Sequence, residues 1–224
     1  MSERTWDRLG SAAGLVGGLL VIAALIVYGA SKSGGPKTAP SWDALAASIV
    51  SYGSSPAPGL LFVGNGLTVT GFLLLVVFFA RLLTALRRAE SGTGWLSAAA
   101  FAGALVYVVF DLGRFILTDA RYLGAASHHL AEQEAVALFD VDNALTSFTW
   151  GAIAMLMIPV GLVAIRTRAL PTWLGWSALV IGIANLVWAW LPPAGSSTPA
   201  ELFFLLWVGV ASVVMVLRPV PASP

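Results

Sequence analysis

The chain has 224 residues, 58% of them hydrophobic and 10% charged, with a formal net charge of +1 and a mean hydropathy of +0.86. A water-soluble domain of this size could not cover so much apolar surface, so lipid is the expected solvent and an all-α integral membrane protein the expected class. The near-zero charge and the lack of basic runs exclude nucleic acid as a partner, and zero cysteines exclude disulfides and thiolate metal sites.

About 20 apolar residues are needed to cross a ~30 Å hydrocarbon core at ~1.5 Å per residue. Six runs qualify, at about 9–30, 59–83, 95–117, 137–165, 173–191 and 200–217. None shows the period-two alternation of barrel strands, so they predict one six-span helical bundle covering residues 1–224. The first run is longer than a signal-peptide core and reads as an uncleaved span.

In chain order, a short polar tail with Arg4, Trp6 and Arg8 precedes span one, where Gly14 and Gly18 are spaced for close helix approach. The connection 31–58 carries Trp42, Leu45, Ile49 and Tyr52 at helical spacing, which predicts a short interfacial helix. Span two holds Asn65 and Thr68 near its start and Arg81, Arg87 and Arg88 toward its end. Span three carries Asp111 and Arg114, three residues apart and therefore able to pair on one helix face. An ionisable pair inside a span can bind a solute or proton, or it can simply fix helix packing while Arg114 snorkels to the surface.

The next loop holds both histidines. His128, His129, Glu132 and Asp140 could together form a nitrogen and oxygen metal site, although solvated, pH-responsive histidines fit the same pattern. Asp142 and Asn143 open span four, with Thr146 one turn on and Pro159 placed to bend its second half. Span five includes Asn185 and ends in Trp188, Trp190 and a Pro192-Pro193 turn, and span six begins near Glu201 and ends at Arg218.

Arginines cluster at one set of span ends (Arg4, Arg8, Arg81, Arg87, Arg88, Arg166, Arg168, Arg218), against Lys32, Lys37 and Arg121 on the other. By the positive-inside rule both termini are cytoplasmic. The acids Asp43, Asp119, Glu132, Glu134, Asp140, Asp142 and Glu201 then lie at or near the outer face, either merely tolerated there or lining a vestibule that attracts cations.

Spans two to five also repeat. Asn65, Leu67, Thr68, Arg88, Trp95, Leu96 and Ala100 fall, without a gap, on Asn143, Leu145, Thr146, Arg166, Trp173, Leu174 and Ala178, which fits either a duplicated helical hairpin or the Arg and Trp that mark interfaces in any membrane protein. Counted at ~1.5 Å per residue, Asp111, Arg114, Asn65, Asn143 and Glu201 reach a similar outer depth, with Thr68, Thr146 and Asn185 deeper, so one polar pocket is expected.

The stretch 166–185, with Leu-Pro-Thr-Trp-Leu-Gly-Trp before a Gly-containing apolar helix, resembles the last hairpin of small bacterial multispan membrane proteins that share a domain of unknown function. The resemblance implies a bacterial cytoplasmic membrane location and no particular activity. Three functions fit the sequence. The first is binding or transport of a small solute or cation at Asp111, Arg114, Asn65, Thr68, Asp142, Asn143, Thr146, Asn185 and Glu201. The second is a non-catalytic accessory or scaffold role, as a homo-oligomer or in a membrane complex. The third is metal-dependent intramembrane hydrolysis at the histidines. No cofactor is expected.

Overall fold

The computed structural model describes residues 3–31, 58–90, 92–126, 131–190 and 199–217. They form six helices: α1 (Glu3–Ser31), α2 (Pro58–Ala89), α3 (Trp95–Ala126), α4 (Glu132–Thr167), α5 (Thr172–Ala189) and α6 (Pro199–Leu217). Each predicted span lies within or almost within one helix. The long helices overrun their apolar runs because backbone hydrogen bonding continues past the hydrocarbon boundary into polar sequence.

Five helices are long and apolar enough to cross a membrane. The sixth differs from expectation, for its apolar stretch is the shorter Glu201–Leu217. At ~1.5 Å per residue it spans ~25 Å, at the lower limit for a crossing. Large apolar side chains such as Phe62, Leu73, Val109, Ile116 and Val180 point outward along the helices, as a lipid-facing surface requires. Trp95 and Trp173 are exposed at the starts of α3 and α5, on the same end as Arg88 and Arg166.

Each helix packs on its neighbours in sequence, and α6 closes back on α1. Backbones meet where side chains are missing. A Cβ built on Gly103 of α3 would fall 2.6 Å from the Leu156 nitrogen of α4. One on Gly17 of α1 would fall 2.8 Å from the Gly71 oxygen of α2, and one on Gly161 of α4 2.8 Å from the Gly175 oxygen of α5. Small residues permit such approach, and dispersion rather than water exclusion rewards it in lipid. The predicted Gly14 and Gly18 pair is not the contact point: Gly14 lies against the Phe78 ring, and Gly18 has only the Leu205 carbonyl oxygen nearby, at 3.7 Å from its built Cβ.

The core between α2, α3 and α6 is a run of rings. Phe72 contacts Tyr107 with centroids 5.8 Å apart, and Tyr107 meets Phe204 edge-on at 4.9 Å. Two ties hold α6 in the ring. The Trp207 indole donates to the Leu174 carbonyl of α5 at 3.0 Å. The Ser212 hydroxyl donates to the Ser11 carbonyl and accepts from the Leu15 amide of α1 at 2.9 Å. Together they place Glu201 against α3.

At the end of α2, Glu90 reaches across a turn with Gly92 and Gly94 at positive φ to cap α3. Its carboxylate accepts from the Leu96 amide at 3.2 Å, from the Ser97 amide at 2.9 Å and from the Ser97 hydroxyl. Desolvation pushes the carboxyl pKa up, but the bonds from Ser97 and Leu96 and the nearby Arg87 outweigh it, leaving the pKa below the ordinary glutamate value. Such a group stabilises the fold above its unfolded pKa of about 4.3 and stops doing so as pH falls through the folded value. Glu90→Ala is therefore expected to cost about 0.5–2 kcal/mol at neutral pH, the usual worth of a helix cap. Thermal melts should show the gap to the parent narrowing in acid, and equal melts at neutral pH would refute the cap.

The matched positions of the two hairpins share their burial. Thr68 and Thr146 are buried, as are the pairs Leu96 and Leu174 and Ala100 and Ala178, whereas Trp95 and Trp173 are exposed. The hairpins nevertheless differ as packing units: α3 has 32 residues and α5 only 18. Helix α3 packs more extensively on α4 than on α2. Pro159 lies within a continuous α4. The predicted interfacial helix at Trp42 to Tyr52 lies outside the described residues.

Candidate functional site

Asp111 sits on the inward face of α3 and is 1% exposed, and Arg114 lies one turn on. Arg114 does not snorkel. Its Nη1 donates to Asp111 Oδ1 at 2.8 Å and reaches Glu201 Oε2 of α6 at 3.4 Å. Its Nε lies 3.6 Å from Asp142 Oδ1 of α4, an ion-pair distance rather than a hydrogen bond. Three helices thus deliver three carboxylates to one guanidinium, the charge group with the most donors to share. Asp111 and Glu201 are both buried, and their carboxyl groups lie close enough to interact directly.

Three buried polar atoms here lack a partner at good hydrogen-bond geometry: Asp111 Oδ2, Arg114 Nε and the Tyr107 hydroxyl. Tyr107 precedes Asp111 by one turn on the same face and interacts electrostatically with both Asp111 and Glu201. Unpaired groups in a low-dielectric interior are costly, and the Tyr107 hydroxyl and the Asp111 carboxyl, a donor beside an acceptor, interact with each other.

A second polar group forms two turns along α3. The Tyr28 hydroxyl of α1 is within donating reach of Asn65 Oδ1 of α2 and of Asp119 Oδ1 of α3, the latter at 3.1 Å. Phe115 separates it from the first cluster and packs on Tyr28 with centroids 5.2 Å apart. The expected single pocket is therefore corrected to two clusters. Asn65 belongs to the second, because it lies across α2 from the α3–α4–α6 junction and Tyr28 takes its side-chain oxygen.

The other predicted residues are dispersed. Thr68 is buried with its hydroxyl unpartnered, and Thr146 donates to the Asp142 carbonyl in its own helix at 3.0 Å. Asn143 is half-buried beside Asp142, but its side chain departs from α4 ~100° away from that of Asp142, since successive residues are rotated by that angle. Asn185 is fully buried, and its amide donates to the Ile181 carbonyl of its own α5 at 2.9 Å. Neither of the two described cavities lies at Asp111; the larger, about 350 Å³, is an apolar groove between α1 and α6 lined by Leu15, Leu19, Leu206 and Val210.

The predicted metal site is not assembled in the described residues. His128 and His129 lie outside them, the Glu132 side chain is likewise not described, and Asp140 is exposed on α4. Among the described residues no group of three His or acidic side chains is arranged to hold a metal ion. Arg81, read from the sequence as a surface cation, is buried on α2 and paired with Asp7 of α1 at 3.1 Å.

Sequence reasoning found Asp111, Arg114, Asp142 and Glu201 but missed Tyr107. A tyrosine one turn before a buried acid on an apolar helix was the available signal. No family model, curated protein or solved structure matches this chain.

Proposed function

We propose that the protein binds and translocates a small organic cation, of the ammonium or guanidinium class, at the outer-leaflet cluster of Asp111, Glu201 and Asp142. The observation that carries this reading is the charge imbalance. Among the described residues three carboxylates surround one guanidinium, with the buried Tyr107 hydroxyl beside Asp111. Two buried acids among these, Asp111 and Glu201, share the one guanidinium, and a further positive charge would offset that excess. Residue placement supports a bacterial cytoplasmic membrane with both termini inside: the exposed arginines Arg8, Arg87, Arg88, Arg166 and Arg168 gather at one end of the bundle, and the resemblance of 166–185 agrees.

The test is stabilisation of the purified protein by sodium, potassium, ammonium, guanidinium and choline chlorides at constant ionic strength. A cation that binds the folded state should add about 1.4 kcal/mol at ten times its Kd. It should also lose this effect in Asp111→Asn and enter vesicles containing the parent protein. Melting temperatures identical across all five salts would overturn the reading.

A further inference from the structure

Helices α1 and α6 are tied together at Ser11, Leu15 and Ser212, but beside that tie their faces part around the groove of about 350 Å³. The groove exists because two positions that would fill it carry no side chain. A Cβ built on Gly18 of α1 would meet only the Leu205 carbonyl oxygen, at 3.7 Å, and one on Gly209 of α6 only Leu15 Cδ1, at 3.5 Å. Leu15, Leu19 and Ile22 form one wall, Leu206 and Val213 belong to the other, and Trp173 of α5 lines the groove as well. Trp173 opens α5 and Val213 is near the end of α6, so both lie toward the end of the bundle where Arg88, Arg166 and Arg168 are exposed. The groove therefore runs from that interface into the apolar middle of the membrane.

Arg8 stands on the same stripe of α1. Leu15, Leu19 and Ile22 follow it by about two, three and four whole helical turns, which places Leu15 ~10 Å and Ile22 ~21 Å deeper along one face. Arg8 is exposed and has no ion pair among the described residues, because its neighbour Asp7 is turned to Arg81 on α2. We propose that the groove holds an acyl chain of an anionic phospholipid from the adjacent leaflet, with the lipid phosphate at Arg8. The apolar walls suit the chain, which restores the dispersion contacts that a void between two helices forfeits. The arginine at the mouth suits the phosphate, and Trp173, more than half exposed, sits where aromatic rings meet headgroups. A second copy of the chain fits less well. A two-fold axis along the membrane normal would bring both Arg8 side chains to one interface at the same depth, and like charges repel. A phospholipid brings the opposite charge. This site is independent of the carboxylate cluster around Arg114.

The test is thermal melting of the delipidated full chain in detergent, titrated with phosphatidylglycerol or with phosphatidylcholine carrying the same acyl chains. Both should stabilise the parent, phosphatidylglycerol with about fivefold higher affinity, the ratio equivalent to ~1 kcal/mol for one arginine at an anionic lipid surface. Arg8→Gln should bring the two lipids to equal affinity. Gly209→Phe, whose ring would occupy the groove, should abolish stabilisation by both, whereas Gly66→Phe, at an exposed position of α2 where a Cβ meets nothing within 4 Å, should leave both unchanged. Equal affinity of the parent for the two lipids overturns the proposal, as does a preference for phosphatidylglycerol that survives Arg8→Gln. These two outcomes hold even where Gly209→Phe fails to fold, since Arg8 is an exposed residue. Lipid stabilisation that survives in a folded Gly209→Phe protein places the chain elsewhere. A parent that scatters light as a dimer and a Gly209→Phe protein that scatters as a monomer would assign the groove to a second copy and overturn the lipid.

Discussion

Arg114→Met is expected to be the most damaging single substitution in the protein. It would leave Asp111, Glu201 and Asp142 converging from three helices on a position with no positive charge. Removing one partner of a buried pair costs about 3–5 kcal/mol because the other stays charged and desolvated, a large part of a typical stability of about 5–15 kcal/mol. Adding Asp111→Asn to Arg114→Met should recover part of the loss, since one of the orphaned charges is then gone. Arg114→Lys should fall between the two, keeping the charge but losing the planar donors. Denaturation midpoints of the detergent-solubilised proteins measure all four, and an Arg114→Met protein as stable as the parent would make Arg114 a surface cation and dissolve the site.

Gly103→Ala is the second large effect. The added methyl would lie 2.6 Å from the Leu156 nitrogen and 2.8 Å from the Met155 carbonyl carbon, and backbone cannot move aside as a flexible side chain can. Overpacking of this kind costs about 1–3 kcal/mol, occasionally more. Gly151 is the control on the partner helix: a Cβ there meets nothing within 4 Å. Gly151→Ala should be neutral or stabilising by up to about 1 kcal/mol, the helix propensity gained. Because α4 carries Asp142, forcing α3 and α4 apart should also lengthen the Arg114–Asp142 contact and weaken cation stabilisation. Equal thermal stability for Gly103→Ala and the parent would show that the two helices cross less closely than described.

The membrane class and the helices were legible in the sequence because they depend on quantities local to each segment. Apolar length sets a span, and the arginines and tryptophans at its ends mark its bounds. The same locality made Asp111 and Arg114 legible as a pair, since three residues apart on a helix is already a contact. Asp142 and Glu201 were recognisable as acids at the right depth, because depth is a count of residues from a helix end.

Rotation and neighbour choice were not local, and there the tertiary structure decided. Asn65 and Glu201 reach the same depth by residue count, yet only Glu201 meets Arg114, because α6 is pulled against α3 by the Trp207 and Ser212 bonds to α5 and α1. Likewise Gly103 and Gly66 look alike in sequence, but one faces the α4 backbone and the other nothing within 4 Å. Sequence by itself determined the all-helical class and the depth of each polar residue, since the rise per residue and the cost of an unpaired amide in lipid act within one segment. Which acids share the guanidinium, and that they outnumber it, was settled by packing between helices distant in the chain.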